Sequence, residues 1–152
     1  MIKKNSFAFI RFAALVLVFA LTLPMGANAA VQTPVQPRAS YYLDSYNGYV
    51  YPAGNGKIQV WFTVTGTDTM DDIGCLTIQI YESSDNSNWR WVKAFDYTNH
   101  EDMMTTNDFF HTGHVDYQGT AGKYYRAYLT IYAGENGDGD SRYFYTSSKL
   151  AT

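Results

Sequence analysis

A short acidic segment near the C-terminus carries the residues best suited to bind a metal ion. Between residues 134 and 140 the chain reads Gly-Glu-Asn-Gly-Asp-Gly-Asp, so Asn136, Asp138 and Asp140 stand two residues apart. Amide and carboxylate oxygens at this spacing are typical of the first half of a calcium loop, and glycine lets such a loop wrap tightly. The segment lacks the downstream glutamate of an EF-hand, and the same residue types form ordinary hairpins. Both a calcium site and a plain turn stay open, and we favour the turn.

The histidines are a second set of possible metal ligands. Two of them lie in the segment His111-Thr-Gly-His114-Val-Asp116, and His100 lies upstream beside Glu101. Positions three apart on a regular strand point to opposite faces, whereas zinc needs three or four converging ligands. We therefore expect surface histidines rather than a zinc site, and no cofactor beyond the possible calcium ion.

Hydrolytic chemistry would need a nucleophile with its base, or two carboxyl groups across a cleft. Asp71 with Asp72 and Glu101 with Asp102 are neighbouring carboxylates in loops, and the single cysteine, Cys75, has no adjacent base. Neither a G-x-S-x-G elbow nor a phosphate-binding loop is present. We predict that the protein is not an enzyme, with a cell-envelope hydrolase using loop carboxylates as the alternative.

Aromatic side chains are the strongest functional lead. The chain has 14 tyrosines and three tryptophans, all after residue 40. These side chains bring contact area at a low cost in entropy, and their flat faces stack on the apolar faces of sugar rings. The alternation of polar and apolar residues points Tyr81, Tyr124, Tyr128, Tyr132 and Trp61 outward, and we predict that they bind the ligand. A structural ladder of strand tyrosines is the competing interpretation.

Short alternating runs must position these side chains. They are separated by turns rich in Gly, Asn, Asp and Ser, at a spacing of roughly ten residues. The runs cover residues 46–51, 57–66, 73–81, 89–97, 107–115, 122–133 and 142–148. This pattern predicts an all-β antiparallel sandwich with about seven strands, similar to immunoglobulin and fibronectin-type domains. A jelly roll is the alternative.

Three details of the alternation can be checked directly. Tyr125 falls on the inward parity, where it resembles the tyrosine corner of immunoglobulin-like domains. In the run 73–81 the parity places Leu76 inside and Cys75 on the other, half-buried side. Trp89, Trp91 and Phe95 share one parity and are expected on one face.

The first residues of the chain predict export. Basic residues at 3, 4 and 11 precede an apolar run over 12–23, and Ala27-Asn28-Ala29 follows as a peptidase site. The run is too short for the ~20 residues that span a bilayer. We read 1–29 as a cleavable signal peptide, 30–40 as an extended leader and 41–152 as one β-sandwich domain.

The net charge of the mature chain argues against two classes of binding partner. Residues 30–152 contain eight basic and 14 acidic residues, a net charge of −6. Such a chain does not attract nucleic acid or anionic lipid by bulk charge. We therefore expect a secreted, extracellular or cell-surface protein without a membrane anchor after cleavage. Its predicted role is that of a binding or structural module for an extracellular glycan or protein. Self-assembly through exposed aromatic edges is a further alternative.

Four segments of the mature chain also resemble a family of small secreted proteins from Gram-positive bacteria. They are Tyr41-Tyr42-Leu43-Asp44-Ser45-Tyr46, Gly54-Asn55-Gly56-Lys57, Thr69-Met70-Asp71-Asp72-Ile73-Gly74 and Gly113-His114-Val115-Asp116-Tyr117-Gln118-Gly119. The resemblance covers nearly all of the mature chain. The domain of that family has no assigned function, so the resemblance implies export and a compact domain but no activity and no site.

Overall fold

The computed structural model describes residues 40–152. The signal peptide predicted at 1–29 and all but the last residue of the leader at 30–40 lie outside this part. Strands make up 73% of the described residues. They are β1 (Leu43–Gly54), β2 (Lys57–Ser83), β3 (Arg90–Asp96), β4 (Met104–Gln118), β5 (Tyr124–Glu135), β6 (Asp138–Tyr145) and β7 (Lys149–Leu150). Two single-turn 3-10 helices, Tyr97–Asn99 and Glu101–Met103, connect β3 to β4. No helix within residues 40–152 has the length and apolar character to cross a membrane.

Strand β2 takes part in both layers of the sandwich. Its first half, residues 57–66, pairs with β1 on one side and β4 on the other. Its second half, residues 72–83, pairs with β5 on one side and, on the other, with β4 over 72–74 and with β3 over 77–82. All seven strands belong to one hydrogen-bonded sheet that curls into two layers. We call the layer β1–β2–β4 the first sheet and the layer β3–β2–β5–β6, with β7 paired to β5, the second sheet. All these pairings are antiparallel, so the predicted all-β antiparallel sandwich is confirmed.

The inner faces of the two sheets pack closely. Val60 and Phe62 from the first half of β2 are fully buried, as are Ile80 and Leu129 of the second sheet. A Cβ atom at Gly48 of β1 would lie only 2.9 Å from a methyl group of Leu129. The close approach of β1 to β5 therefore depends on the missing side chain.

Several strands begin or end at residues other than those predicted from the sequence. The separate runs 57–66 and 73–81 are one continuous strand that bends, because the pairing of β2 with β4 skips residues between Thr65 and Met70. The weak run at 107–115 extends to Met104–Gln118, and the last run, 142–148, begins earlier, at Asp138. The acidic segment 134–140 is thus the end of β5, a two-residue turn and the start of β6 rather than a long loop.

A β-bulge reverses the predicted alternation in the middle of β2. Cys75 pairs with Ile131 and Thr77 with Thr130, so Leu76 is the extra residue. Cys75 is fully buried and Leu76 is half-buried, which is the opposite of the prediction. Burial raises the pKa of the Cys75 thiol to about 12, so the group is an inert part of the core at neutral pH.

A second bulge separates Trp91 from Phe95. Ile80 pairs with Lys93 but Tyr81 pairs with Trp91, so β3 gains one residue between the two pairs. Phe95 is buried in the core, whereas Trp91 points outward and is 54% exposed. The expectation that they share a face is wrong, because alternation does not continue across a bulge.

Tyr125 forms the predicted tyrosine corner. Its ring is fully buried, and its hydroxyl accepts a hydrogen bond of 2.8 Å from the Thr120 N–H group. The same hydroxyl donates to the buried Glu82 carboxylate at 2.8 Å. Arg90 at 2.9 Å and Lys123 at 3.0 Å complete the shell around that carboxylate. Burial alone would raise the pKa of Glu82, but the hydrogen bonds from Lys123, Tyr125 and Arg90 outweigh it and hold the pKa at about 2.

We expect Tyr125→Phe to lower the free energy of unfolding by about 1–3 kcal/mol. The change removes one hydroxyl and leaves the Thr120 N–H group and one Glu82 oxygen without their partner. Urea denaturation measures the loss. The control is Tyr124→Phe, which removes the hydroxyl of the adjacent, outward-pointing tyrosine. Equal midpoints for the two variants would show that the corner does not stabilise the fold.

The Glu82 network also predicts a pH dependence. A carboxylate whose pKa is lower in the folded than in the unfolded chain adds stability above the unfolded value, about 4.3. That contribution is lost as the pH falls from there toward 2. Glu82→Gln should therefore be less stable at pH 7 and lose less stability over the acidic range than the unaltered protein. Urea titrations across that range test this, with Glu101→Gln as the exposed control. Parallel pH profiles for the unaltered protein and Glu82→Gln would contradict the prediction.

Candidate ligand-binding face

The outer side of the second sheet carries a cluster of aromatic rings around one arginine. We call it the aromatic face. It consists of Tyr81, Trp89, Trp91, Arg126, Tyr128, Tyr143 and Tyr145. Strand pairing creates it: Tyr81 lies opposite both Trp91 of β3 and Arg126 of β5, and Tyr128 lies opposite Tyr145 of β6. Residues paired across antiparallel strands share a face of the sheet.

Arg126 is the centre of this cluster. Its guanidinium carbon lies 4.3 Å from the ring centroid of Tyr145, 4.4 Å from that of Trp89 and 5.9 Å from that of Tyr81. A cation over an aromatic ring is attracted by the electron-rich ring face. The Nε atom is buried and has no hydrogen-bond partner among the described residues. The arginine is therefore held by rings rather than by polar groups.

The tyrosines also contact one another. The ring centroids of Tyr128 and Tyr145 are 4.7 Å apart, and those of Tyr81 and Tyr145 are 5.8 Å apart in an edge-on arrangement. Tyr143 lies nearly parallel to Tyr128 at 6.4 Å. The Tyr81 hydroxyl donates to the Gln79 side chain at 3.1 Å. These contacts restrict the rings, while Trp91, Tyr143 and Tyr145 stay 54%, 61% and 48% exposed.

Of the five predicted binding residues, the structure brings Tyr81 and Tyr128 together. Tyr124 and Tyr132 point outward on β5 as predicted but lie at its two ends. Tyr124 pairs with Leu150 of β7. Tyr132 packs its hydroxyl over the glycines of the β5–β6 hairpin. It also lines a separate cavity of about 200 Å³, with Asp72, Leu76, Tyr97 and Met104. No ring contact within residues 40–152 links either tyrosine to the aromatic face.

Trp61 belongs to the first sheet and lies apart from these tyrosines. It points outward from the first half of β2 and stacks on His114 with centroids 4.3 Å apart. Its indole N–H donates to Gln59 at 3.2 Å, and Gln59 in turn donates to Asp116 at 3.0 Å. The bend in β2 directs its two halves into different layers. Alternation distinguishes inside from outside but does not tell one sheet from the other.

Five of the seven members of the aromatic face are not among the predicted ligand-binding residues: Tyr143 and Tyr145 of β6, and Trp89, Trp91 and Arg126. Trp91 was assigned to the face of Phe95 because the bulge in β3 leaves no mark in the residue pattern. Trp89 was assigned to the same parity as Phe95, but it precedes β3, which begins at Arg90, so the alternation does not extend to it. Arg126 did carry a signal, since it occupies the outward position between Tyr124 and Tyr128. A charged residue at such a position is ordinarily a solvated one.

The three predicted metal ligands form a tight hairpin. Asn136 and Gly137, with φ of 55° and 80°, make the two-residue turn between β5 and β6. The Asn136 N–H group donates to Asp71. Asp140 accepts from the Ser40 hydroxyl and from two backbone N–H groups near the start of the domain. Within residues 40–152, no group of three or more His, Cys, Asp or Glu side chains is placed to hold a metal. Asp138 and Asp140 lie on β6 outside the turn, and calcium binding stays an untested prediction.

The histidine segment contributes to an acidic groove instead. His111 and His114 point to opposite sides of β4, as the spacing predicts: His114 stacks on Trp61, and His111 Nε2 lies 2.9 Å from the Asp102 carbonyl oxygen. The groove has a volume of about 520 Å³ and lies between β4 and the β3–β4 connection. Its lining includes Phe95, His100, Glu101, Asp102, His114, Val115 and Asp116.

The comparisons with known proteins do not assign this chain. No protein-family model matches it, and no curated protein matches it. The sporulation control protein Spo0M from Bacillus subtilis is similar at 10% identity and a TM-score of 0.39, over 67% of this chain and 47% of that one. A family 76 glycoside hydrolase from a bovine Bacteroides thetaiotaomicron strain is similar at 18% identity and a TM-score of 0.32, over 72% of this chain and 20% of that one. The chain thus spans less than half of each, and such TM-scores carry no functional conclusion.

Proposed function

We propose that the protein is a secreted, non-catalytic module whose aromatic face binds an extracellular glycan or protein surface. The proposal rests on one observation: the same cluster contains aromatic rings that are exposed to solvent and rings that are held in place by their neighbours. Three rings are about half exposed, and two of them, Tyr143 and Tyr145, are packed against Tyr128. A contiguous exposed patch of large apolar side chains usually marks a contact surface.

The packing of the rings makes the face suitable for binding. A ring that is already fixed by its neighbours loses little conformational freedom when a ligand stacks on it. Tyr145 is held by Tyr81, by Tyr128 and by the Arg126 guanidinium. The structural ladder and the binding surface are therefore compatible descriptions of the same side chains.

The size of the face favours a glycan over a protein. A stable protein interface involves about 20–30 residues on each side. The aromatic face has seven side chains, which suits a few sugar units better. The Gln79 side chain and the Thr77–Thr130 hydroxyl pair lie on the same outer surface and offer polar groups beside the rings.

A hydrolase is the second candidate function, and it is favoured by the acidic groove. Glu101, Asp102 and Asp116 line that groove together with His100 and His114. A general acid needs a carboxyl group that holds its proton near the working pH. Hydrogen bonds from Lys57 and Gln59 lower the pKa of Asp116, which makes it unsuited to that role. We therefore place the function at the aromatic face.

We expect Trp91→Ala and Tyr145→Ala each to weaken glycan binding by tenfold or more, about 1.4 kcal/mol. Both changes remove an exposed stacking surface from the face. A panel of immobilised extracellular polysaccharides identifies the ligand, and calorimetry measures affinity. Tyr49→Ala is the matched control, because Tyr49 is 46% exposed, like Tyr145, but lies on β1 of the other sheet. Unchanged binding in both variants, or an equal loss in Tyr49→Ala, would contradict the assignment.

Export is tested separately. In a secreting bacterial host the protein should leave the cell with Ala30 as its first residue, as measured by intact-mass spectrometry of the medium. Ala29→Phe should block cleavage, because signal peptidase requires small residues at its site. A protein that stays in the cytoplasm with its first 29 residues attached would overturn the proposed compartment.

A further inference from the structure

The charge at the centre of the aromatic face has no counter-charge. The three ion pairs of the described residues use Lys57, Arg90 and Lys123. Arg126 forms no ion pair within residues 40–152, although the predicted mature chain has an excess of six acidic residues. An unpaired cation is unusual in a partly buried position, because burial removes part of its hydration.

The acids closest to this face in the strand register are engaged elsewhere. Asp96 pairs with Thr77 at the edge of the second sheet, and its carboxylate accepts from the N–H and hydroxyl groups of Thr98. Glu82 neighbours Tyr81 but points to the inner side, where it binds Tyr125. The second sheet therefore places a positive charge on its outer side without an acid facing it.

Arg126 is half-buried, and its Nε–H group is buried without a hydrogen-bond partner among residues 40–152. The central carbon of the guanidinium lies over the rings of Trp89 and Tyr145, at 4.4 Å and 4.3 Å from the two ring centroids. The N–H donors of a guanidinium lie in its own plane, in a fork that matches the two oxygens of a carboxylate. An anionic group that reached the terminal N–H donors of the guanidinium would be bound next to these aromatic rings.

We infer that the glycan bound by the aromatic face is acidic, and that its carboxylate is seated on the Arg126 guanidinium. The inference rests on the proposed function. A polymer of uronic acid residues is the ligand class that fits, with its charged group on Arg126 and the apolar faces of neighbouring sugars on Trp91 and Tyr143. The charge selects the polymer, and the rings supply contact area.

The test compares a uronic acid polymer with the same polymer after its carboxyl groups have been reduced to alcohols. Three such pairs, built from galacturonic, glucuronic and mannuronic acid, are titrated into the full mature chain by calorimetry. For at least one pair we expect the native polymer to bind tenfold or more tighter than the reduced one, and the difference to shrink at high salt. A sulfated neutral glucan shows whether a carboxylate or any anion suffices.

Substitutions of Arg126 test whether this residue is responsible for the preference for the native polymer. Arg126→Gln should remove the preference for the native polymer, and Arg126→Lys should keep only part of it, because an ammonium group lacks the planar fork. Arg142→Gln is the control, since it removes the same charge from β6 on the parity opposite to Tyr143 and Tyr145. Thermal unfolding shows which variants are folded. If Arg126→Gln is not, the comparison of native and reduced polymers by the unaltered protein still decides.

The outcomes separate the two claims. Equal affinity for native and reduced polymers, or a preference that Arg126→Gln retains, would overturn the inference and leave the proposed glycan-binding function standing. Binding of neutral polysaccharides alone would do the same. Failure to bind any native, reduced or neutral polysaccharide would overturn the inference and also the glycan form of the proposed function.

Discussion

The structure depends on a single strand that belongs to both sheets. Strands β1, β3, β4 and β5 all pair with β2, and β6 and β7 join through β5. Two glycines, Gly66 and Gly74, flank the stretch where β2 changes direction. A Cβ atom at Gly66 would lie 2.9 Å from both the Asp68 carbonyl oxygen and the Met70 side chain. One at Gly74 would collide with the Met103 carbonyl oxygen. The bend therefore requires positions without side chains, and the two-layer arrangement follows from it.

The fold also depends on a buried charged group, the carboxylate of Glu82. The described residues contain one cysteine and no disulfide, so non-covalent contacts must hold the ends of the strands. Glu82 at the end of β2 accepts bonds from Arg90 of β3, from Lys123 before β5 and from Tyr125 of β5. A buried carboxylate that loses a partner is strongly destabilising. The same atoms that join three strands would therefore oppose folding if the network were incomplete.

Residue patterns predicted much of this fold because burial alternates along most strands. The inward parity of Tyr125 and the outward parity of Tyr81 and Tyr128 were correct, and so was the sandwich. Errors occurred where one extra residue shifts the register, at Leu76 in β2 and between Trp91 and Phe95 in β3. A bulge is stabilised by contacts with neighbouring strands, which a local pattern does not contain.

A different limit applied to the composition of the aromatic face. Alternation predicts which side of a strand a residue faces but not which residues lie beside it, so it does not show that Trp61 lies apart from the tyrosines. Which outward residues meet is decided by pairing between strands that are distant in the chain. Residues 81, 126 and 145 come together only after β2, β5 and β6 have aligned.

The same strand pairing places Arg126 against the rings of the aromatic face, which hold its side chain in place. An isolated guanidinium on a strand is flexible and well hydrated, whereas this one is confined by the rings of Trp89 and Tyr145. The positive charge of the guanidinium is attracted to the electron-rich faces of the rings, so the contact stabilises both partners. This mutual stabilisation leaves one interaction of the cation unmade, because an aromatic ring accepts no paired hydrogen bonds at the edge of the guanidinium. A surface that is ordered without its ligand, and still has an unused directional group at its centre, combines the two features that selective binding requires.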